Sequence, residues 1–254
     1  MTTSYDTTPV VLDRREGPYG EVVLRRHGTL LQIIANGCFL MDTSDGRSER
    51  RLVDAAADAL EAAAAPGAPG AHAAREAPGG RRGSQDPPDR RSRPALLIGG
   101  LGVGFSLAHA AADPRWGRIT VVEREPAVID WHRAGPLSGL SDGALADPRA
   151  EIVEADLLTH LDETYATYDA LCLDIDNGPG WTVDEGNDGL YSPAGLASCA
   201  RALRPRGVLA VWSAQPSPEF ERTLWNAGFK QVRTEEIPVA RGVPDVVHLA
   251  VGPG

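Results

Sequence analysis

Between residues 20 and 42 the chain carries three short runs rich in apolar and β-branched residues, EVVLRRHG, TLLQIIANG and CFLMD. The breaks between them fall at His27-Gly28 and Asn36-Gly37, and an Asn-Gly pair between two apolar runs is a strong indicator of a β-hairpin. The pattern therefore predicts a small antiparallel sheet of three strands. An alanine-rich helix is predicted to follow from Ser48 to near Ala65, and sheet and helix together are assigned to one unit, residues 20–65.

Two segments beside this unit lack a periodic pattern. Residues 1–19 are expected to form a disordered N-terminus. Residues 66–94 are dense in proline, glycine and arginine and contain no large apolar side chain. Such a segment cannot bury enough apolar surface to offset the entropy lost on ordering, so it is expected to be a flexible linker.

From Ala95 onward, apolar strands alternate with helical segments. The predicted parallel strands are 95–100, 118–123, 150–156, 168–174 and 207–214, and a closing antiparallel pair is predicted at 229–237 and 244–252. Strands separated by helices form a parallel sheet that is covered on both faces. Residues 95–254 are therefore predicted to be a Rossmann-like α/β domain, which binds ligands at the carboxyl ends of its strands.

The composition of the chain bears on its expected binding partners and on its expected location in the cell. The formal net charge of −10 argues against a nucleic-acid partner. No apolar stretch is long enough to span a membrane, and the N-terminus lacks the apolar core of a secretory signal, so a cytoplasmic protein without a membrane partner is expected. Cys38, Cys172 and Cys199 have no metal-ligand spacing, so no metal site is expected and the three thiols are expected to be buried.

Several classes of chemistry find no support in the sequence. There is no G-x-S-x-G elbow of a hydrolase, and Lys230 is the single lysine, which disfavours Schiff-base chemistry. His109, His132 and His160 fall on predicted helices away from the strand ends. These histidines are expected to be exposed or hydrogen-bonded structural residues rather than catalytic ones.

A glycine-rich turn, Gly99-Gly100-Leu101-Gly102-Val103-Gly104, follows the first strand of the α/β domain. Glycines at this position allow the chain to turn sharply and bring backbone N–H groups close to a ligand. Phe105 stands where a dinucleotide fingerprint requires its third glycine. The turn therefore favours an adenosyl ligand and a class I S-adenosylmethionine methyltransferase-like fold, with Gly99, Gly100, Gly102 and Gly104 as binding residues.

Two acidic residues at strand ends extend this hypothesis. Glu123 ends the second strand, where a carboxylate can accept hydrogen bonds from both ribose hydroxyls. Asp156 ends the third strand and is predicted to accept a hydrogen bond from the adenine amine, with Leu157 beside it. A role of Asp156 as the N-cap of the following helix is the alternative, and the two roles are compatible.

The fourth strand ends in D-I-D-N-G-P-G, which places Asp174 and Asp176 at the same edge of the sheet. One such carboxylate can hold a cationic amine or take the proton that an attacking nitrogen loses, and Asp174 is the stronger candidate. Alternatively, the side chain of Asp176 accepts hydrogen bonds from the backbone of its own turn. Asn177, Trp181 and Tyr191 belong to the loop that follows and are predicted to contact the substrate as part of a lid.

The ordered part of the chain, from Gly20 to Gly252, resembles the spermidine synthase family, the polyamine aminopropyltransferases. The resemblance rests on the glycine turn, the V-V-E-R-E-P run, the D-P-R…V-E-A-D segment, the Y-D…L-D strand and the L-R-P-R-G-V-L turn. It implies a small N-terminal β-sheet before a methyltransferase-like domain, an adenosyl donor, a cationic amine acceptor and a homodimer.

The sequence departs from that family at two places. The family's glycine turn reads G-G-G-D-G-G, and its aspartate contacts the amine of decarboxylated S-adenosylmethionine, whereas this chain has Gly102 at that position. The family's loop reads D-S-[ST]-D-P. Here Asp174 is kept, but the second aspartate is replaced by Asn177, and Asp176 stands one residue earlier.

The absence of a carboxylate at Gly102 bears on the choice of donor. Two like charges ~4 Å apart repel by about 4 kcal/mol at an effective dielectric constant of ~20, enough to select between donors. On this ground the sequence favours intact S-adenosylmethionine as cofactor and methyl transfer to a small amine or hydroxyl compound. The alternatives are aminopropyl transfer from decarboxylated S-adenosylmethionine and a non-catalytic nucleoside-binding module.

Overall fold

The computed structural model describes residues 8–64, 93–141, 143–175, 177–179, 189–239 and 242–253. The first of its two sheets is antiparallel, with four strands in sequential order. These strands are β1 (Val10–Gly17), β2 (Gly20–His27), β3 (Leu30–Ala35) and β4 (Cys38–Asp42). The three strands expected from the apolar runs are thus confirmed as β2 to β4. Asn36 and Gly37 both have positive φ, as the predicted tight hairpin requires.

Strand β1 is a correction to the sequence analysis, which predicts disorder throughout residues 1–19. That prediction is wrong for residues 10–17, and residues 1–7 lie outside the described part of the chain. β1 is an edge strand exposed along most of its length, so it shows no apolar alternation. Polar contacts with a distant helix hold it, because Asp13 accepts a hydrogen bond from Trp131 Nε1 (2.8 Å) and Arg15 pairs with Asp130 (2.7 Å).

The second sheet has seven strands in the order β10-β11-β9-β8-β5-β6-β7. They are β5 (Ala95–Gly99), β6 (Arg118–Glu123), β7 (Ala150–Glu154), β8 (Tyr168–Leu173), β9 (Leu203–Ser213), β10 (Lys230–Ile237) and β11 (Asp245–Val251). Strands β5 to β9 are parallel, and β11 is antiparallel to both β9 and β10. The strand order reverses around β5, which places a ligand crevice at its carboxyl end.

In the part of the chain that the structure describes, six α-helices cover the two faces of this sheet. They are α1 (Arg47–Ala64), α2 (Phe105–Ala112), α3 (Pro126–Ala134), α4 (Leu157–Asp162), α5 (Pro193–Ala202) and α6 (Pro218–Asn226). Alternate residues of β5 point to opposite faces, as a pleated strand requires. Leu96 packs with α1, α2 and α3 on one face, and Leu97 packs with α4, α5 and α6 on the other.

Helix α1 packs on the large sheet, although the sequence analysis assigns it to the N-terminal unit. Its buried Leu52 and Val53 share an apolar cluster with Leu96 and Ile98 of β5. The helix therefore completes the α/β core and carries its N-terminal turn to the edge where β5 ends. The predicted linker, residues 66–94, lies outside the described residues apart from 93 and 94.

Among the described helices none combines the length and the apolar character needed to cross a bilayer. Cys172 and Cys199 are buried as expected, whereas Cys38 is exposed at the start of β4, so the expectation is wrong for that thiol.

Candidate active site

A cavity of about 630 Å³ lies between the small sheet and the carboxyl edge of the large sheet. The glycine turn and the residues after β6, β7 and β8 form its floor and sides. The small sheet forms an apolar roof of Val22, Ile33, Ala35, Phe39, Leu40 and Met41. The N-terminal turn of α1 and the start of β11 close the remaining side, so segments that are far apart in the sequence meet at this cavity.

The four predicted binding glycines divide into two pairs. Gly100 (φ +89°) and Gly102 (φ +49°) line the cavity in the conformation that favours glycine. Gly99 does not line it, and a Cβ there would lie 2.7 Å from Leu157 Cδ2. Gly104 (φ +93°) does not line it either, and a Cβ there would lie 2.7 Å from His132 Cε1. The second pair is therefore needed for close packing around the turn rather than for ligand contact.

Glu123 lines the cavity at the end of β6, where the sequence places the ribose acceptor. Its carboxylate also organises the turn, because Oε2 accepts a hydrogen bond from Leu101 N (2.9 Å) and Oε1 accepts one from Glu125 N (2.8 Å). Burial raises the pKa of Glu123, while the two backbone N–H groups act in the opposite direction. A substitution here will disturb both the turn and any bound ribose.

Asp156 and Leu157 line the cavity after β7. Asp156 is also the N-cap of α4, since its Oδ1 accepts a hydrogen bond from Thr159 N at 2.8 Å. The structural alternative raised from sequence is therefore observed. Because a carboxylate has a second oxygen, the cap is compatible with acceptance of a hydrogen bond from an adenine amine.

Asp174 follows β8 and faces the cavity together with two carboxylates that the sequence analysis missed, Glu49 and Asp245. Burial raises the pKa of Asp174, and the charge of Asp245 raises it further. The pKa of Glu49 is raised by burial, by the charge of Asp174 and by that of Asp245. Ionisation of Glu49 and Asp174 is therefore opposed in this cavity, and a cation placed beside them would relieve the repulsion.

Asp245 is held in place by two hydrogen-bond donors. Ser48 donates its hydroxyl to Asp245 Oδ2 at 2.6 Å, and Trp212 Nε1 donates to the same oxygen at 3.4 Å. Ser48 precedes Glu49 in the first turn of α1, so helix and strand position this part of the cavity jointly. No local sequence pattern announces this arrangement, because the residues are almost 200 positions apart.

The predicted substrate residues have different outcomes. Asn177 lines the cavity. Tyr191 is buried and is not among the described residues that line the cavity, so its contact with the substrate stays a prediction. Its hydroxyl donates to the carbonyl of Ile175 (3.1 Å) and its ring packs edge-on against Phe220. Tyr191 thus supports the segment that follows Asp174, while Asp176 and Trp181 lie outside the described residues.

Met41 of β4 lies directly over the glycine turn. A Cβ added to Gly102 would overlap the Met41 sulfur, so this thioether fills the space that a side chain at position 102 would need. Met41 could not be singled out from the sequence, because a pattern of alternating apolar residues cannot show which of them faces the glycine turn.

The cavity is strongly acidic. Among its lining residues that the structure describes, eight are carboxylates and one, Arg124, is a cation. The guanidinium of Arg124 lies 4.6 Å from the centre of the Tyr19 ring in the turn between β1 and β2. The eight carboxylates are Asp42, Asp45, Glu49, Glu123, Glu125, Asp156, Asp174 and Asp245.

The sequence of the chain is similar to those of known polyamine aminopropyltransferases. No family model matches the chain. The chain is 34% identical over 133 residues to polyamine aminopropyltransferase 1 of Streptomyces coelicolor, which covers 52% of the chain and 24% of that protein. It is 30% identical over 135 residues to the polyamine aminopropyltransferase of Nitrosomonas europaea, covering 52% of the chain and 39% of that protein. The match therefore spans well under half the length of these relatives.

Solved structures match over nearly the whole chain. A spermidine synthase in complex with the transition-state analogue AdoDATO aligns with a TM-score of 0.69 at 17% identity, covering 95% of this chain and 73% of that one. The spermidine synthase of Thermotoga maritima aligns with a TM-score of 0.67 at 15% identity, covering 96% and 73%. These likenesses show the fold.

The resemblance to the spermidine synthase family is thereby confirmed, as is the methyltransferase-like fold with its small N-terminal sheet. The relatives named above are aminopropyltransferases and spermidine synthases. They support the aminopropyl alternative, whereas the methyl transfer favoured from Gly102 finds no support among them.

Proposed function

We propose that this chain, which resembles the spermidine synthase family in sequence and in fold, transfers an aminopropyl group from decarboxylated S-adenosylmethionine to a cationic amine. The observation that carries the proposal is the acidic cavity, with eight carboxylates and one arginine among its described lining residues. Such a cavity favours ligands with positive charge and no carboxylate.

The charge of the cavity separates the two candidate donors. Decarboxylated S-adenosylmethionine carries a sulfonium and an ammonium, whereas the intact donor adds a carboxylate. At ~4 Å from a cavity carboxylate this group would cost about 4 kcal/mol at an effective dielectric constant of ~20. Gly102 stands where the family has an aspartate, but this difference does not by itself decide the donor. Glu49, Asp174 and Asp245 keep this region of the cavity acidic.

The nucleoside part of the donor fits the opposite side of the same cavity. Glu123 is suited to the ribose hydroxyls, and Asp156 with Leu157 is suited to the adenine ring. Gly100 and Gly102 allow the backbone to approach the ligand without Cβ interference. These residues lie after β5, β6 and β7, which leaves Asp174, after β8, beside the group that is transferred.

In the reaction the acceptor nitrogen attacks the carbon bonded to the sulfonium. A C–N bond forms as the C–S bond breaks, and the nitrogen loses a proton. Asp174 is positioned to take that proton, and its raised pKa makes it a better base for this purpose than an ordinary aspartate. Glu49 and Asp245 would orient the cationic acceptor, and the rate would depend mainly on this alignment.

The proposal is tested by calorimetry of the full chain with the two donors, followed by mass spectrometry of the products formed with a diamine. We expect tighter binding of the decarboxylated donor and a product heavier by one aminopropyl group. Asp174→Asn should abolish turnover, and Glu163→Gln, an exposed carboxylate outside the cavity, is the matched control.

Two results would overturn the proposal. Tighter binding of intact S-adenosylmethionine with a methylated product would establish methyl transfer. Failure of both donors to bind would favour the non-catalytic alternative.

A further inference from the structure

His132 lies beneath the glycine turn, on the side away from the cavity. It is 1% exposed and sits on α3, and it is not among the residues that line the cavity. Its Nε2 is 2.9 Å from the carbonyl oxygen of Gly102, and its Nδ1 is 2.6 Å from the hydroxyl of Ser141, which is also 1% exposed. One buried imidazole thus connects the turn to the segment that follows α3.

The hydrogen bonds assign the tautomer of this histidine. A carbonyl oxygen only accepts, so Nε2 carries the proton and donates to Gly102, and the Ser141 hydroxyl then donates to Nδ1. Burial lowers the pKa of His132, which keeps the ring neutral and compatible with both bonds. Ser141 is itself anchored, because its carbonyl accepts from Ala144 N (2.7 Å) in a 3-10 turn.

The hydrogen bond from His132 to Gly102 restricts the backbone where it has the most conformational freedom. Three of its glycines have positive φ, and glycine loses more backbone entropy on ordering than other residues. Because a trans peptide is planar, holding the Gly102 carbonyl also fixes the direction of the following N–H group. The Cβ contact that excludes other residues at Gly104 is with the same His132 ring.

We propose that His132 is a positioning residue: oriented by Ser141, it holds the Gly102–Val103 peptide in the conformation that binds the adenosyl donor. The effect on donor binding rests on the proposed function, whereas the effect on the turn does not. His132 touches no substrate in this arrangement and acts only through the turn.

The test compares His132→Ala, His132→Gln and Ser141→Ala. A glutamine amide reaches the place of Nε2 and can still donate to Gly102, so it should restore what alanine removes. His248→Gln is the matched control, since His248 is a fully buried histidine on β11 that does not line the cavity. Two quantities are measured on the full chain: hydrogen exchange of the amides of residues 100–104, and the dissociation constant of 5′-methylthioadenosine, a probe without a transferable group.

We expect His132→Ala to speed exchange in the turn and weaken probe binding by about tenfold, the equivalent of one hydrogen bond. His132→Gln should recover most of both, Ser141→Ala should show a smaller loss of the same kind, and His248→Gln should leave both unchanged. Unchanged exchange in His132→Ala overturns the inference whether or not the wild type binds the probe. Unchanged probe affinity in that variant also overturns it, while a wild type that binds no nucleoside contradicts the proposed function.

Discussion

Glu49, in the first turn of α1, and Asp174, at the end of β8, face one cavity, and the charge of Asp174 raises the pKa of Glu49. The two residues come from segments that the sequence analysis placed in different units. Their proximity makes the first turn of α1 part of the candidate site and gives that site a titration near neutral pH. Three of the predictions below follow from this cavity, and the fourth follows from its roof.

The first prediction concerns the pH dependence of turnover. Activity requires ionised Asp174, and the charge of Asp245 raises the pKa of Asp174. Asp245→Asn should therefore move the acid-side midpoint of kcat/KM to lower pH. The profile is recorded between pH 5 and 9 beside Glu163→Gln, which should not move it. An acid limb that stays in place in Asp245→Asn would show that the charge of Asp245 does not act on Asp174.

The second prediction concerns folding stability. The folded-state pKa values of Glu49 (about 8) and Asp174 (about 7) are raised above their unfolded values of 4.5 and 3.8. The folded state therefore binds more protons than the unfolded state between these values, and stability falls as the pH rises from about 4 to about 8. Replacing either carboxyl by its amide should stabilise the protein at pH 8 by on the order of 1 kcal/mol and change little at pH 4. Urea unfolding at both pH values measures this. Equal effects at both pH values would contradict it.

The third prediction separates the two roles of Asp156. Asp156→Ser keeps a capping oxygen for Thr159 N but withdraws the carboxylate from the cavity. It should weaken nucleoside binding with little change in the unfolding free energy, whereas Asp156→Ala should in addition cost about 1 kcal/mol of stability. Calorimetry and urea unfolding give the two quantities. If Asp156→Ser binds as the wild type does, the residue is a helix cap only.

The fourth prediction tests the space between Gly102 and Met41. Gly102→Asp alone should destabilise the protein, because its Cβ would overlap the Met41 sulfur at a positive φ. Adding Met41→Ala should recover much of that loss. The double variant should also bind decarboxylated S-adenosylmethionine more tightly than Met41→Ala does, because a carboxylate then faces the ammonium of the donor. Equal affinity in these two would show that position 102 does not reach the donor.

Much of the fold and about half of the candidate site could be predicted from local pattern. The glycine turn, Glu123, Asp156 and Asp174 each follow a strand of a parallel sheet, and parallel strands bring their carboxyl ends to one edge. The alternation of strands and helices was sufficient to place them at that edge. The hairpin at Asn36-Gly37 could also be predicted, because it depends on neighbouring residues only. β1 escaped prediction because an exposed edge strand carries no apolar alternation.

Tertiary structure alone decided what surrounds those strand ends. Met41, Glu49 and Asp245 reach the cavity from β4, α1 and β11, and nothing near them in sequence distinguishes them from ordinary core or surface residues. Only packing shows that one thioether and two further carboxylates lie near Gly102 and Asp174. This acidic surrounding removes the ground on which Gly102 alone favoured intact S-adenosylmethionine. The sequence by itself determined that a glycine turn, Glu123 and Asp156 follow β5, β6 and β7 at one edge of the sheet, because that depends on local order. The charge of the whole cavity, on which the proposed donor rests, depends on distances between remote segments, which only the folded chain defines.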